Sequence, residues 1–292
     1  MSRSLARLGA AGFLLGALAC SSLIGAGGAL GRDSAPSRAM ATAISANARN
    51  AGSRTIRFSG YAWQVRNSAI SRSGPGPNYF SGRRENVWLD GRGLLHLKAV
   101  KRGGRWYCAE IFTAKSFGYG TYTFTLASRV DRLDTNAVLG LFTWDDAAPA
   151  YAYREIDIEF SKWGERRARN AQYVVQPWQH SGNEHRFNLA LSSVFSVHSF
   201  QWSANRVLFS SSRGRTPNPT GALQTWAYSG ADIPPAGAGH ARINLWLVDG
   251  KPPSDERSIE IVVKAFRFVP EARRPPAAGS IRLEKATRLR AA

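Results

Sequence analysis

The most constraining feature of the sequence is a short run in which acidic and large apolar residues alternate. It lies within Tyr151–Trp163, a segment rich in aromatic and β-branched residues, which favour strands. Successive side chains of a strand point to opposite faces, so the run predicts one acidic face and one apolar face. In a helix the same residues would be scattered around the axis without forming an amphipathic stripe. We therefore predict a strand with Glu155, Asp157 and Glu159 on one face and Ile156, Ile158 and Phe160 on the other.

Three carboxylates on one strand face are costly, because like charges on the same face repel each other. They also stand out in a basic chain, which has 39 Lys and Arg residues against 20 Asp and Glu residues. A close pair of carboxyl groups separates its pKa values, so that one group stays protonated while the other is ionised. Glycoside cleavage uses such a pair, one group as proton donor and the other to attack the sugar or to activate water. The alternative interpretations are a solvated strand face and an oxygen-rich cation site.

The spacing of Glu155 and Glu159 can be compared with the two geometries of glycoside cleavage. Four residues of strand separate Cα atoms by about 13 Å. Retaining enzymes hold their carboxyl groups about 5–5.5 Å apart, and inverting enzymes about 6.5–9.5 Å apart. Two Glu side chains that lean together over a concave sheet can reach the shorter distance, whereas a flat sheet leaves them near the longer one. Asp157 lies midway and could hydrogen-bond to either Glu.

Composition and turn signals predict one all-β domain over residues 55–270. The chain of 292 residues contains 28 Gly and 9 Trp, and its apolar residues fall in short runs rather than in long helical stripes. Gly103-Gly104 is a hairpin turn signal between predicted strands at 94–101 and 105–115. Many short antiparallel strands without intervening helices are typical of a β-sandwich. Further strands are predicted at 56–58, 61–65, 118–126, 136–144, 171–178, 184–191, 197–202, 207–212, 241–248 and 258–268.

The first 31 residues have the features of an export signal. Arg3 and Arg7 precede the apolar run Leu8–Ala19, and the uncharged stretch continues to residue 31. We predict a signal peptide over 1–31, with an uncleaved membrane anchor as the alternative because the stretch is long enough to span a bilayer. Cys20 follows an imperfect lipobox, so lipidation is a further alternative. The protein is therefore expected to be secreted or to lie in the cell envelope, periplasmic or extracellular.

The segments that flank the domain are polar and basic. We predict a flexible linker over 32–54 and a basic disordered tail over 271–292. Basic tails can contact nucleic acid, lipid headgroups or acidic glycans, but a solvated Arg-rich surface is the simpler interpretation. No nucleic-acid-binding signature is present, so no such partner is expected, and membrane contact is expected only if the N-terminal segment is retained or lipidated. With the signal removed, Cys108 is the only cysteine left, and we expect it to be buried and inert in a monomeric protein.

The acidic run also resembles a family signature. The hexapeptide Glu155–Phe160 is similar to the signature of glycoside hydrolase family 16, in the form without a bulge that occurs in bacterial lichenases and plant xyloglucan transglycosylases. The resemblance extends over roughly residues 86–269. The other matching segments, in order, are Ala109-Glu110, Tyr119-Gly120, Phe142-Thr143-Trp144, His198-Ser199-Phe200-Gln201-Trp202 and Asn244-Leu245-Trp246.

The resemblance implies a β-jelly-roll whose concave sheet forms a glycan-binding cleft, and a retaining double displacement. Glu155 would be the nucleophile, Glu159 the general acid/base and Asp157 the residue that tunes them. The family also includes members with a structural cation on the convex side, but no ligand set for one can be recognised in this sequence, so no metal site and no cofactor are predicted. The expected partner is a polysaccharide substrate. For any one aromatic residue, packing in the sandwich core is the competing interpretation. The positions that match substrate contacts of the family are Phe142, Trp144, Tyr153, Gln176, Trp178, Asn244 and Trp246.

Two positions depart from the family pattern. Many members have Gly or Asp before the nucleophile, where this chain has Arg154, whose charged head we expect to lie in water near the end of the strand. Lichenases have Arg where this chain has Phe112, which removes a sugar contact and argues against lichenase specificity. The sequence thus predicts an exported, endo-acting β-glycan hydrolase. A transglycosylase with the same site and a catalytically silent, lectin-like module are the alternatives.

Overall fold

The computed structural model describes residues 54–218 and 220–272. Within these residues the chain forms 16 strands and three short 3-10 segments, Val130–Arg132, Pro149–Arg154 and Val248–Gly250. The strands are β1 Thr55–Phe58, β2 Tyr61–Val65, β3 Tyr79–Phe80, β4 Val87–Leu89, β5 Leu95–Arg102, β6 Arg105–Thr113, β7 Gly120–Ala127, β8 Ala137–Trp144, β9 Ile156–Phe160, β10 Ala171–Val175, β11 Glu184–Phe187, β12 Phe195–Ser203, β13 Arg206–Arg213, β14 Ala222–Tyr228, β15 His240–Leu247 and β16 Ile259–Pro270.

The strands form a curved sandwich, which confirms the predicted fold class. All pairings are antiparallel except that of the short β3, which is parallel to β6. One layer runs in the order β11-β10-β9-β8-β15-β6, and the other runs β5-β16-β7-β12-β13-β14. The hairpin of β5 and β6 connects the two layers, and Gly103 and Gly104 at its tip have φ values of 54° and 75°. Glycine adopts these positive φ angles without the steric cost that other residues meet.

The alternation over 155–160 is realised as predicted. β9 lies near the middle of its layer, paired with β8 and β10. Its three apolar side chains have no exposed surface and belong to the main core between the layers. Tyr173 on the neighbouring strand reaches across this core to Phe209, with ring centres 4.8 Å apart. Because the apolar face of β9 is buried, its acidic face must point away from the core. A register slip of one residue would exchange the two faces and expose the three apolar side chains.

Several element boundaries differ from the predictions. β10 ends at Val175 rather than at residue 178, since Pro177 has no N–H to continue a strand ladder. β11 ends at Phe187 rather than at residue 191. The sequence patterns also missed three strands. β3 and β4 have only two and three residues, and the burial of β14 does not alternate regularly.

Cys108 is buried, as expected, and burial raises the pKa of its thiol to about 12. In the described part of the chain, no helix is long and apolar enough to cross a membrane. The predicted segment 1–31, nearly all of the linker and nearly all of the tail lie outside the described residues.

Candidate active site

The three acidic side chains project from the face of the sheet opposite the core. Glu155 lies immediately before β9, and Asp157 and Glu159 lie on it. Asp157 pairs in register with Phe142 of β8, and Glu159 pairs with Gly140. Asp157 is 3% exposed, whereas Glu155 and Glu159 are half-buried and reach solvent. The arrangement therefore places two accessible carboxyl groups on either side of a buried one.

Glu155 lies in an environment that opposes its ionisation. Burial raises the pKa of its carboxyl to about 8, and repulsion from Glu159 acts in the same direction. A hydrogen bond with Asp157 and the positive charge of Arg242 act the other way and favour the carboxylate. The neighbours of Glu155 thus determine whether it can act as an anion.

Asp157 is the most buried member of the group. Burial and the charges of Glu155 and Glu159 raise its pKa well above the usual range. The interaction of the two carboxyl groups raises the pKa of Asp157 and lowers that of Glu155, so Asp157 is the member of this pair that favours the protonated form. Gln176 Nε2 donates to Asp157 Oδ2 at 3.1 Å, and Gln176 Oε1 accepts the backbone N–H of Trp178 at 2.9 Å. The Gln176 amide is thus fixed at both ends.

Glu159 has a different partner. Burial raises the pKa of its carboxyl to about 7, whereas Gln172 on β10 donates from Nε2 to Glu159 Oε2 at 2.8 Å and favours the carboxylate. On β11, Glu184 raises this pKa and Arg186 lowers it. Gln172 is 5% exposed, and its Oε1 has no hydrogen-bond partner among the described residues. The Gln172 side chain therefore makes its hydrogen bond to Glu159 alone.

These surroundings define what the group can do chemically. Glu155 and Glu159 both titrate around neutral pH, so the cluster retains protons where isolated carboxyl groups have lost theirs. A nucleophile must be ionised and a proton donor must be protonated. The productive state therefore has Glu155 ionised and Glu159 protonated. This is the reverse of the order of the two pKa values, so in the free protein it is one microstate of a coupled group of acids rather than the only one.

The backbone before Glu155 has an unusual conformation. Ala152, Tyr153 and Arg154 have φ values of 46°, 57° and 53°, in the left-handed region that non-glycine residues rarely occupy. This turn lays the Tyr153 ring flat against Trp144, with ring centres 4.3 Å apart and planes 7° apart. Trp144 Nε1 donates to Asp146 Oδ1 at 2.9 Å. The aromatic pair therefore lies beside Glu155 in a fixed orientation.

The prediction for Arg154 is wrong. Its side chain is 13% exposed, and its guanidinium lies 4.7 Å from the centre of the Tyr151 ring and 3.7 Å from Asp145 Oδ2. The expectation that the guanidinium lies in water assumed that Arg154 follows the alternation of a strand. The left-handed turn at residues 152–154 breaks that alternation and turns the side chain toward the protein. The guanidinium packs against Gly237, where a side chain would require Arg154 to move.

A row of ion pairs crosses the same face. Glu110 is 1% exposed and accepts hydrogen bonds from Arg66 Nη1 at 2.6 Å and Arg242 Nη1 at 2.9 Å. Arg242 Nη2 also donates to Asp146 Oδ2 at 2.9 Å. Burial opposes ionisation of Glu110, but the two Arg residues hold its pKa below the usual value. The row fixes Arg242 close enough to Glu155 to favour its carboxylate form.

Sequence reasoning missed Arg242 and Gln172. Arg242 lies two residues before Asn244 on β15, and Gln172 lies four residues before Gln176, so strand periodicity alone would have placed each on the acidic face. Arg242 is paired in register with Phe112, and its guanidinium lies 5.0 Å from the Phe112 ring centre. This chain has Phe112 where lichenases have Arg, but Arg242 places a guanidinium next to that position on the same face.

The predicted substrate contacts fall into two groups. Trp144, Tyr153, Gln176 and Trp178 are partly exposed near Glu155 and Asp157. Phe142, Asn244 and Trp246 are 7%, 3% and 4% exposed. Asn244 Oδ1 accepts the backbone N–H of Gly140, and Trp246 packs in a second apolar cluster under Gly76. The structure thus brings the first four to the accessible face and covers the other three.

A cation site was the alternative to catalysis for the acidic run. Within residues 54–218 and 220–272, no group of three or more His, Cys, Asp or Glu side chains is arranged to hold a metal ion.

Solved structures of β-glucanases share this fold, which confirms the resemblance at the level of architecture. The Bacillus licheniformis β-glucanase is 19% identical with a TM-score of 0.56, over 75% of this chain and 99% of that one. A lichenase from a mouse hindgut metagenome is 19% identical with a TM-score of 0.52, over 75% and 99%. A Mycobacterium tuberculosis protein described as an immunostimulatory antigen and pseudo β-1,3-glucanase is 17% identical with a TM-score of 0.53, over 72% and 91%. No protein-family model and no curated protein sequence matches the chain.

Proposed function

We propose that this chain is an exported, endo-acting β-glycan hydrolase of the family 16 type, which cleaves by double displacement with retention. The observation that carries the proposal is the group of three carboxyl groups on the outward face of β9, whose pKa values are raised. Burying like charges together is unfavourable, and sugar binding alone does not require it. The glucanase fold supports the same class of reaction.

The first step forms a covalent intermediate. The Glu155 carboxylate attacks the anomeric carbon while the glycosidic C–O bond breaks, and Glu159 gives its proton to the leaving oxygen. Asp157 keeps its own proton, and its interaction with Glu155 favours the carboxylate form of Glu155 that the attack requires. The stacked rings of Trp144 and Tyr153 offer an aromatic surface for a sugar next to Glu155.

The second step releases the sugar. Glu159, now ionised, takes a proton from water while the water oxygen bonds to the anomeric carbon and the bond to Glu155 breaks. Both Glu residues return to their starting states, and the product keeps the configuration of the substrate. The hydrogen bond from Gln172 stabilises Glu159 in its ionised form between the two steps.

A substrate screen with a variant of the nucleophile tests this proposal. The screen would use barley β-glucan, laminarin, xyloglucan, agarose and an acidic glycan, with release of reducing ends as the readout. Glu155→Ala should lower the rate by at least several orders of magnitude while the protein remains folded. Glu256→Ala is the matched control, because Glu256 is an exposed acid that pairs with Lys101 and has no effect on the pKa values of the three acids. Activity of Glu155→Ala equal to that of the wild type would remove Glu155 from its role.

A catalytically silent glycan-binding module is the second candidate, because one protein with this fold is described as a pseudo β-1,3-glucanase. A silent module would bind a glycan of the panel without releasing reducing ends. A transglycosylase would instead lengthen acceptor oligosaccharides, which chromatography of the products distinguishes from hydrolysis.

A further inference from the structure

A cavity of about 490 Å³ adjoins the acidic strand at its Glu155 end. Its walls are residues 149–152 before Glu155, the residues that follow β10, and residues 231–234 between β14 and β15. Gln176 lines the cavity and connects it to the acids, since its side chain donates to Asp157 at 3.1 Å and its backbone N–H donates to Glu155 O at 3.2 Å. The volume is in the range of sites that bind small ligands.

One wall carries a carboxylate that is held in place. Asp232 Oδ2 lies 2.9 Å from His180 Nδ1 and accepts a hydrogen bond from Asn183 Nδ2 at 2.9 Å. Asn183 is 2% exposed, and its Oδ1 accepts the Tyr228 hydroxyl at 2.7 Å. The hydrogen bonds from His180 and Asn183 hold the pKa of Asp232 below its usual range, so the group is ionised. Its orientation is therefore fixed before any ligand arrives.

The segment before Glu155 lines the cavity with an aromatic ring. Tyr151 is 50% exposed, which is unusual for a large side chain in this sandwich. The Arg154 guanidinium lies over its ring at 4.7 Å and is itself packed against Gly237. The ring is thus supported from one side while half of its surface stays accessible. An aromatic ring and an oriented hydrogen-bond acceptor together suit a ligand with apolar C–H faces and hydroxyl edges.

The charge of the cavity selects among such ligands. The chain has a net charge of +19, but no Lys or Arg lines this cavity, and its ionisable side chains are Tyr151, His180 and Asp232. A carboxylate wall repels uronic acids and sulfated sugars and accepts hydrogen bonds from hydroxyl groups. We infer that the cavity is a subsite for a neutral glycosyl unit of the polysaccharide, next to the unit that Glu155 attacks. The link to the attacked unit rests on the proposed function, whereas the binding site itself does not.

Binding measured without turnover tests the inference. In a Glu155→Gln background, titration calorimetry would compare neutral β-gluco-oligosaccharides of increasing length with β-linked oligouronates. Asp232→Asn and Tyr151→Ala should each weaken binding of the longer neutral oligosaccharides by about tenfold or more, since a hydrogen bond to a charged group or a stacked ring is lost. Asp255→Asn is the matched control, because Asp255 is exposed in a separate groove. Melting curves would verify that each variant is folded.

The outcomes separate this inference from the proposed function. If the wild type cleaves no glycan but both variants weaken neutral binding, the function fails and the subsite stands. If the wild type cleaves a glycan but both variants bind like their parent, the subsite is overturned and the function stands. Tighter binding of oligouronates than of neutral oligosaccharides would overturn the charge argument. Absence of binding to every oligosaccharide would overturn the subsite as well.

Discussion

Removal of the hydrogen bond to Glu159 gives the sharpest test of how the site is tuned. Gln172 Nε2 donates to Glu159 Oε2 at 2.8 Å, and Gln172 is almost fully buried. A hydrogen bond to a charged group contributes about 1.5–3 kcal/mol, and one pKa unit corresponds to about 1.4 kcal/mol. Because the bond favours the carboxylate, Gln172→Leu should raise the pKa of Glu159 by about one to two units. The substitution removes no other hydrogen bond of the Gln172 side chain, since its Oε1 has no partner among the described residues.

The measurement is an NMR titration of protein labelled with ¹³C at the Glu carboxyl carbons. The Glu159 signal is assigned by its absence in Glu159→Gln, so the experiment does not depend on activity. In an active enzyme, the basic limb of the kcat/KM profile should also move to higher pH, because Glu159 must be protonated in the first step. Gln176→Leu is the matched control, since Gln176 donates to Asp157 instead. A Glu159 pKa that stays the same or falls in Gln172→Leu would refute the reasoning.

Two further predictions concern stability and pH. Burial lowers the pKa of His198 to about 3, so stability should be lost as the pH falls from about 6.5 toward 3, by on the order of 4 kcal/mol. The free energy of unfolding of His198→Gln, measured with urea, should not show this decrease at low pH. The same dependence of unfolding free energy on pH in both proteins would contradict the prediction. Burial raises the pKa of Glu155, so the wild type should lose stability as the pH rises from about 4.5 to about 8. Glu155→Gln should therefore melt at a higher temperature than the wild type at pH 8 but not at pH 4; equal melting temperatures at pH 8 would count against the raised pKa.

The local pattern was sufficient to predict the acidic strand. The alternation over 155–160 was enough to predict which side chains enter the core, because its three apolar side chains are large and share one strand face. All three are core residues in the structure. These features depend on neighbours in sequence and on the pleat of a strand, both of which a single sequence contains. The family resemblance, not the strand period, indicated Trp144 as a residue of the accessible face.

Other parts of the site depend on contacts that no local pattern contains. Arg66, Glu110 and Arg242 come from three different strands or their ends, and only the strand order brings them together. The left-handed turn at 152–154 has no Gly to signal it. Trp246 lies on the same face of β15 as Arg242 and Asn244, so the strand period would place it on the acidic face. The loop that contains Gly76 covers it. Long-range strand pairing and loop packing therefore account for the misses.

Chemical rescue of the proton donor tests the central claim most directly. In Glu159→Ala, Glu155 should attack an activated aryl β-glycoside and expel the aryl oxide, because this leaving group needs no proton. The covalent Glu155 intermediate should then accumulate, because water needs a base to attack it. Azide should restore turnover, since it attacks without a base, and NMR of the product should show a β-glycosyl azide. That product follows from two successive inversions at the anomeric carbon. An α-glycosyl azide, or no rescue of a folded variant by azide or formate, would contradict a double displacement through Glu155 and Glu159.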